Sequence, residues 1–263
     1  MDELRPLSVL ADGSLIAFGR RIRLRGRTVM GLRPDTWEVD VYFLSEEDAA
    51  ILHEAEEISV LGEDDSLLAS GRVEEAFTHL EDGKLITTIM VTEGMDFWRS
   101  TVSISVAKGN TVQDTIQTLC RNSSSPVPIA AMQAKNATFF RGQTFHGRTA
   151  DYVATLAKSI DARAYYVRGG LYVVSRNAAT DSITLDAEDT AMGVARLDGA
   201  AVVRLTKMRG YTIGAWIMLP GEATRYRLLC QSVDADYYKG SWRTELILVN
   251  EDRIETPDDW GGG

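Results

Sequence analysis

The stretch TWEVDVYF, residues 36–43, alternates apolar and polar side chains almost without interruption. A period of two places successive side chains on opposite faces of a β-strand. One face then carries Trp37, Val39, Val41 and Phe43, and the other carries Glu38, Asp40 and Tyr42. The pattern predicts a strand with one buried face, so the surrounding chain is expected to supply the rest of a sheet.

Short strand patterns surround this stretch throughout residues 1–107. They are separated by turn signals such as Asp12-Gly13, and one helix is predicted to begin after Ser45, with three acids in its first turn. Roughly seven short strands and one helix predict a small β-barrel domain. Residues 181–250 return to the same β character and predict a second barrel, followed by a flexible acidic tail at 251–263.

The middle of the chain, residues 108–180, predicts a small α+β module. Thr111 is placed to cap one helix, a second helix is predicted from 149 to 159, and RAYYVRGGLYVVS predicts a hairpin that turns at Gly169-Gly170. The predicted fold class is therefore mainly β with an α+β insert, as two small β-barrel domains flanking a helix-and-hairpin module.

The bulk properties limit the classes of function. The 263 residues carry a formal net charge of −10, which disfavours wrapping nucleic acid because phosphate contacts need a positive surface. No apolar stretch reaches the ~18 residues that span a bilayer. The acidic N-terminus lacks the pattern of a signal peptide, so the protein is expected to begin in a cytosol without inserting into a membrane.

Residues that could carry chemistry are few and scattered. The three histidines, His53, His79 and His146, have no second ligand at metal spacing, and Cys120 and Cys230 lie in apolar runs that predict buried free thiols. The paired acids are adjacent in sequence, whereas a hydrolase needs carboxylates that face each other across a cleft. The sequence thus predicts no catalytic residues, no metal site, no cofactor and no enzyme activity, with a hydrolase using dispersed acids as an alternative.

The most unusual local feature is a row of arginines in RRIRLRGR: Arg21, Arg23, Arg25 and Arg27. Their spacing places them on one face of a strand. Such a face could contact nucleic acid, remain solvated and discourage edge pairing, or meet acidic groups of a partner. The acidic composition argues against nucleic acid and leaves the other two open. A barrel that stacks bases on exposed tyrosines is a further alternative.

Several stretches taken in order resemble a known family. They are TWEVDVYFLSEEDAAILHEAEEISVL (36–61), SGRVEEAFTHLEDGKLITTIMVTEGMDFWRS (70–100), GNTVQDTIQTLC (109–120), FHGRTADYVATLAKSIDARAYYVRGGLYVV (145–174) and LPGEATRYRLLCQSVDADYYKGSWRTELILV (219–249). The chain resembles the baseplate or tail hub proteins of tailed bacteriophages and related contractile injection systems, in particular the Mu-like hub family. The likeness covers nearly the whole chain, and its motifs are mostly structural.

The resemblance implies a homotrimer whose six barrels form a pseudo-six-fold ring. Such a ring joins a six-fold tail tube to a three-fold spike or tip, within a virion tail assembled in the host cytoplasm. The implied partners are tail tube, distal tail or baseplate, spike or tip and tape measure proteins, with DNA only in transit. A hub-like spike component of a contractile secretion system is the alternative.

The resemblance transfers no catalytic residues. It makes charged residues candidates for contacts between subunits or with the tube: Arg21, Arg23, Arg25, Arg27, Glu38, Asp40, Glu74 and Glu75. The block from Phe139 to Ser175 is expected to be structural, on the outside of the ring, where it reaches neighbouring baseplate proteins.

Overall fold

A computed structural model describes residues 7–19, 21–190 and 193–250. The expected tail at 251–263 lies outside these residues. The described residues form two compact units, one from residues up to 29, 35–93 and 182–250, and one from residues 30–34 and 94–181. The predicted class, mainly β with an α+β insert, is confirmed. Among the described residues, no helix is long and apolar enough to cross a membrane.

The first unit is built from strands and one helix. Its N-terminal elements are β1 (Ser8–Ala11), β2 (Ser14–Phe18), β3 (Ile22–Val29), β4 (Asp35–Tyr42), α1 (Glu46–Glu54), β5 (Glu57–Leu61), β6 (Leu67–Glu81) and β7 (Lys84–Glu93). The second unit contains α2 (Met95–Arg99), β8 (Thr101–Val106), α3 (Val112–Arg121), β9 (Ile129–Gln133), β10 (Gln143–Arg148), α4 (Thr149–Ser159), β11 (Ala162–Val167) and β12 (Gly170–Ser175). The first unit then resumes with β13 (Ser182–Thr184), β14 (Gly193–Leu197), β15 (Ala200–Leu205), β16 (Trp216–Met218), β17 (Arg225–Asp236) and β18 (Ser241–Val249).

One sheet runs through the first unit in the order β14-β15-β18-β17-β3-β4-β7-β6-β5-β1-β2, with β16 on β17 and β13 on β16. The antiparallel pair of β3 and β17 joins the N-terminal strands to the C-terminal ones, with Arg23 opposite Asp236 and Val29 opposite Cys230. Strands from both regions that the sequence assigns to barrels therefore belong to the same sheet. The division into two barrel domains stays a prediction.

The apolar face predicted for residues 36–43 is confirmed up to Val41. The prediction of a single buried face is wrong, because Asp40 is buried against Arg23 and Thr88, and Tyr42 is buried with its ring stacked on Tyr238. Trp37, Val39 and Val41 are fully buried in the core of the first unit, together with Ile89 and Val233 from neighbouring strands. Phe43 departs from the pattern, because β4 ends at Tyr42 and Phe43 adopts a left-handed backbone with φ of 56°. The following Ser45 caps α1 by accepting a hydrogen bond from the Asp48 amide, as its position predicts.

The second unit packs α3 and α4 around a separate core that includes Ile116, Leu119, Val153 and Leu156. Thr111 caps α3 by accepting from the Asp114 amide, and α4 has the predicted bounds. The predicted hairpin is present, but its turn is Arg168-Gly169 rather than Gly169-Gly170. Both turn residues have positive φ, which a two-residue hairpin turn of this kind requires, and Gly170 already belongs to β12.

Candidate assembly interface

Three arginines of the row, Arg23, Arg25 and Arg27, lie on β3, between β4 and β17, on the face opposite the core, and Arg21 directly precedes the strand. Ile22 and Leu24 point into the core and are fully buried, whereas Arg21, Arg25 and Arg27 are exposed. The strand register fixes the partners of the two central arginines. Arg23 stands opposite Asp40 and Asp236, and Arg25 stands opposite Glu38 and Asp234. Cross-strand neighbours of opposite charge stabilise such a sheet face.

Arg23 and Asp40 form a largely buried ion pair. The Arg23 Nε donates to Asp40 Oδ2 at 2.5 Å, and the Thr88 hydroxyl donates to Asp40 Oδ1 at 2.6 Å. The side chains of Arg23 and Asp40 are only 14% and 1% exposed. Burial alone would lower the pKa of the Arg23 guanidinium, but the Asp40 carboxylate offsets this and the pKa is raised. Both side chains are therefore paired with each other inside the fold and are not exposed for contact with another protein.

Arg25 makes looser pairs nearer the solvent. Its guanidinium lies 3.3 Å from Glu38 and 3.7 Å from Asp234. Exposed pairs of this kind contribute about 0–1 kcal/mol, because water screens them and the side chains lose freedom. Arg25 and Glu38 can therefore exchange these partners for groups on another protein at little cost.

The other four predicted interface residues are exposed and form no ion pair with a described residue. Arg21 precedes β3, Arg27 lies opposite Ser232, and Glu74 and Glu75 lie on β6. The register of β6 against β7 shifts between Val73 and Glu75, so Glu74 is the extra residue of a bulge. The structure thus brings Arg23, Arg25, Glu38 and Asp40 together and leaves the two β6 acids two strands away from Glu38.

An exposed apolar patch near the tip of the β6–β7 hairpin was not predicted. Leu80 and Leu85 face each other across the hairpin, and the Phe43 amide donates to the Leu85 carbonyl at 2.9 Å. The Phe43 ring lies 5.7 Å from the ring of Tyr238, and the Lys84 ammonium lies over that ring at 5.0 Å. The sequence signal that could have found it is Phe43 itself, a bulky residue two positions ahead of the helix cap Ser45, where the strand must end.

Asp35 is a buried carboxylate whose pKa is strongly raised. It lies at the start of β4, opposite Glu93 on β7, and both residues are buried. Burial raises the pKa of Asp35 to about 7, with Glu93 adding to the rise, while the Val29 amide and Arg27 act in the opposite direction. The Val29 amide lies 3.1 Å and 3.2 Å from the two carboxylate oxygens. The carboxyl groups of Asp35 and Glu93 therefore lie opposite each other in a buried site, where the neutral form of Asp35 is favoured.

This carboxylate makes the stability of the first unit depend on pH. Between the unfolded value near 3.8 and the folded value of about 7, the folded protein keeps a proton that the unfolded chain has released. The free energy of unfolding therefore falls as pH rises through this window, by about 3 kcal/mol between roughly pH 5 and pH 8. Urea unfolding at both pH values measures this, and Asp35→Asn is expected to flatten the dependence. An equal flattening in Asp234→Asn, whose side chain is exposed, would contradict the assignment.

An open groove lies in the second unit. It has a volume of about 630 Å³ and lies between α3 and the edge strand β9, where Gln117, Arg121, Val127, Ile129 and Met132 line it. Its lining contains no carboxylate, histidine or cysteine. No group of three or more potential metal ligands occurs in the described part of the chain. Both cysteines are buried and unpaired, and burial raises the pKa of Cys120 to about 12.

Comparison with known proteins connects this fold to phage tails. No protein-family model matches the sequence, and no curated protein matches it. A tail protein from Neisseria meningitidis MC58 aligns with a TM-score of 0.64 at 10% identity, over 94% of this chain and 97% of that one. The 43 kDa tail protein of prophage MuSo2 from Shewanella oneidensis aligns with a TM-score of 0.66 at 10% identity, over 96% of this chain and 100% of that one.

The chain has the fold of these phage tail proteins. An E. coli component of the type VI secretion system shares the tail-protein fold, with a TM-score of 0.57 at 9% identity over 90% of this chain and 75% of that one. That component is described as similar to the tail proteins gp27 and gp5 of bacteriophage T4. The predicted resemblance is confirmed at the level of fold.

Proposed function

We propose that this protein is the structural hub of a phage tail tip or baseplate. In this role, three copies form a ring that joins the six-fold tail tube to a three-fold spike or tip and lets DNA or the tape measure protein pass. The observation that carries the proposal is the tail-protein fold, which extends over nearly the full length of this chain and of two tail proteins. The protein acts through assembly, so its function resides in its surfaces.

The surface chemistry of the first unit supports this role. Arg21, Arg27, Glu74 and Glu75 are exposed on a sheet whose inner charges are already paired. Charged residues arranged in this way set the orientation and the partner of a contact more than its strength. The net charge of −10 suits a channel through which DNA passes without adhering. These residues are the proposed contacts with other copies and with the tube.

A hub-like spike component of a contractile secretion system is the second candidate. Its support is the fold shared with the E. coli secretion component and, with a TM-score of 0.53, with the structure named as a PdpA–VgrG complex. The two candidates differ in their partner. Co-expression with a phage tail-tube protein or with a secretion tube protein, followed by co-purification at matched salt, separates them.

The mass of the protein in solution tests the hub. Light scattering behind size exclusion, at several concentrations, is expected to give about three times 29.0 kDa, and averaged particle images are expected to show a ring with a central hole. Addition of the tail-tube protein tests whether that partner is needed for ring formation. A monomer that persists with the tube protein present would refute the trimeric hub.

A further inference from the structure

The second unit is positively charged, although the chain as a whole is acidic. Residues 30–34 and 94–181 contain 11 lysine and arginine residues and five acidic residues, which gives this unit a formal net charge of +6. The whole chain carries −10, so the excess of acids belongs to the remaining residues. A basic unit of this kind attracts anionic surfaces, and salt weakens the attraction.

Part of this positive charge lies on two loops that contain no acidic residue. Residues 107–111 follow β8, and residues 134–142 join β9 to β10; these two segments are the basic loops. Their three cations are exposed and form no ion pair with a described residue: Lys108, Lys135 and Arg141. Asp114 is the acid nearest to the basic loops in the sequence, and it accepts a hydrogen bond from the Thr111 hydroxyl at 2.6 Å. The charge of the basic loops is therefore available to a partner.

Backbone hydrogen bonds join the basic loops into one surface. The Gly109 amide donates to the Phe139 carbonyl at 3.1 Å, and the Phe139 amide donates to the Asn110 carbonyl at 3.0 Å. These bonds continue the antiparallel pairing of β8 with β10 beyond its last pair, Val106 and Gln143. A Cβ atom at position 142 would lie 3.9 Å from the Lys108 amide nitrogen, so the backbone next to Arg141 lies beside Lys108.

Phe140 projects from this surface into solvent. Its side chain is 94% exposed, more than any other large apolar side chain of the described residues. The preceding Phe139 is partly buried and packs against the core of the second unit, so the two successive rings differ sharply in exposure. A ring exposed to this degree contacts almost nothing in its own chain, and its apolar surface would gain free energy by leaving water.

We propose that the basic loops bind the surface of an anionic lipid bilayer. Phe140 inserts at the boundary between headgroups and acyl chains, and Lys108, Lys135 and Arg141 contact the anionic headgroups. A bilayer of this kind offers negative charge directly above an apolar layer, which matches a protruding ring flanked by cations. A single-stranded nucleic acid would instead need several rings along a groove, whereas the basic loops expose one.

This contact is peripheral, and it goes beyond the proposed hub. It needs no membrane-spanning segment, no trimer and no tail partner, since all its groups lie on two neighbouring loops of one chain. A wild-type monomer that binds vesicles would therefore refute the trimeric hub and leave this inference in place. A trimer that binds no vesicles would do the reverse.

Sedimentation of the full chain with sucrose-loaded vesicles tests the proposal. The wild type is expected to bind vesicles of equal parts phosphatidylcholine and phosphatidylglycerol, with weaker binding at high salt and little binding to phosphatidylcholine alone. Lys108→Ala/Arg141→Ala is expected to lower the partition coefficient by about fivefold for each cation removed. Phe140→Ser is expected to lower it about tenfold, because the ring no longer leaves water. Circular dichroism verifies that each variant keeps the fold.

Two matched controls locate the effect. Arg121→Ala removes an exposed cation of the same unit at the far end of α3, about 15 Å along the helix from the basic loops. Phe18→Ser removes a ring that is 62% exposed in the first unit. Each is expected to change the partition coefficient less than about twofold, because the site lies beyond the reach of a screened charge or in the other unit. A control that lowers binding as much as its partner variant would overturn the assignment to the basic loops.

A fluorescent label measures insertion directly. Phe140→Cys and Phe18→Cys are each labelled with an environment-sensitive maleimide dye, and the native Cys120 and Cys230 are buried and unreactive in the folded protein. The emission of the dye at position 140 is expected to shift to the blue with anionic vesicles, and the emission of the dye at position 18 is expected to stay unchanged.

Three results would overturn the membrane contact. The first is a wild type that binds no vesicle at low salt. The second is equal binding of Phe140→Ser and the wild type, which would leave only a general attraction to polyanions. The third is tighter binding to a single-stranded oligonucleotide than to anionic vesicles at matched salt, which would assign the basic loops to nucleic acid.

Discussion

Leu156→Asp is expected to unfold the second unit while the sheet of the first unit stays folded. Leu156 lies in the core formed by α3, α4 and the strands around them, and only 7% of it is exposed. Truncation of such a leucine alone costs about 2–5 kcal/mol. An unpaired carboxylate adds a further penalty of several kcal/mol, because nothing in this apolar core can solvate it. The sum, about 5 kcal/mol or more, is close to the whole stability of a small domain.

Hydrogen exchange followed by mass spectrometry measures this locally. Peptides from 149–175 should lose protection, and peptides from 35–42 should keep it. Ala154→Asp places the same charge on the exposed side of α4 and should cost less than about 1 kcal/mol. Leu156→Met preserves the volume and should also be mild. Retained protection of 149–175 in Leu156→Asp would contradict the placement of Leu156 in a close-packed core.

Arg23→Met is expected to lower the free energy of unfolding of the first unit by about 3 kcal/mol. The substitution keeps an unbranched side chain of similar length but leaves Asp40 buried without a counter-ion. Removal of one partner of a buried ion pair is costly for this reason, and replacement of both is often nearly neutral. The double variant Arg23→Met/Asp40→Asn should therefore regain much of the loss.

Urea unfolding near neutral pH provides the measurement, and Arg25→Met is the matched control. Arg25 is the next arginine of the same row, but its pairs with Glu38 and Asp234 are solvent-exposed, so its loss should cost about 0–1 kcal/mol. An equal loss of unfolding free energy in Arg23→Met and Arg25→Met would show that burial does not distinguish the two arginines. A double variant no more stable than Arg23→Met would show that Asp40 is not the cause.

The difference between Arg23 and Arg25 also bears on how assembly contacts are recognised. In the sequence the two arginines are equivalent members of one alternating row. In the fold, Asp40 binds one of them in a buried pair, and the other meets acids in solvent. The neighbouring strands thus decide which arginines of the row are paired inside the fold and which remain accessible to another protein.

The sequence by itself determined the local structure of this protein. Ser45 and Thr111 cap helices because each hydroxyl accepts a hydrogen bond from the backbone amide three residues later. This contact needs no partner that is distant in the sequence. The alternation in β4 predicted that Trp37, Val39 and Val41 are buried, since a period of two depends only on strand geometry. It did not predict the burial of Asp40 and Tyr42 on the other face, which depends on residues of neighbouring strands. The helix at 149–159 and the hairpin after it follow from the same short-range rules.

Only the tertiary structure decided which strands are neighbours. β3 pairs with β17, about 200 residues later in the chain, and no local pattern specifies a partner at that separation. That register places Asp234 beside Arg25, just as the β3–β4 register sets Asp40 against Arg23. The raised pKa of Asp35 likewise arises from burial beside residues distant in the sequence, such as Glu93. Burial and strand pairing both depend on contacts between residues that are distant in the sequence, and only the folded chain brings these residues together.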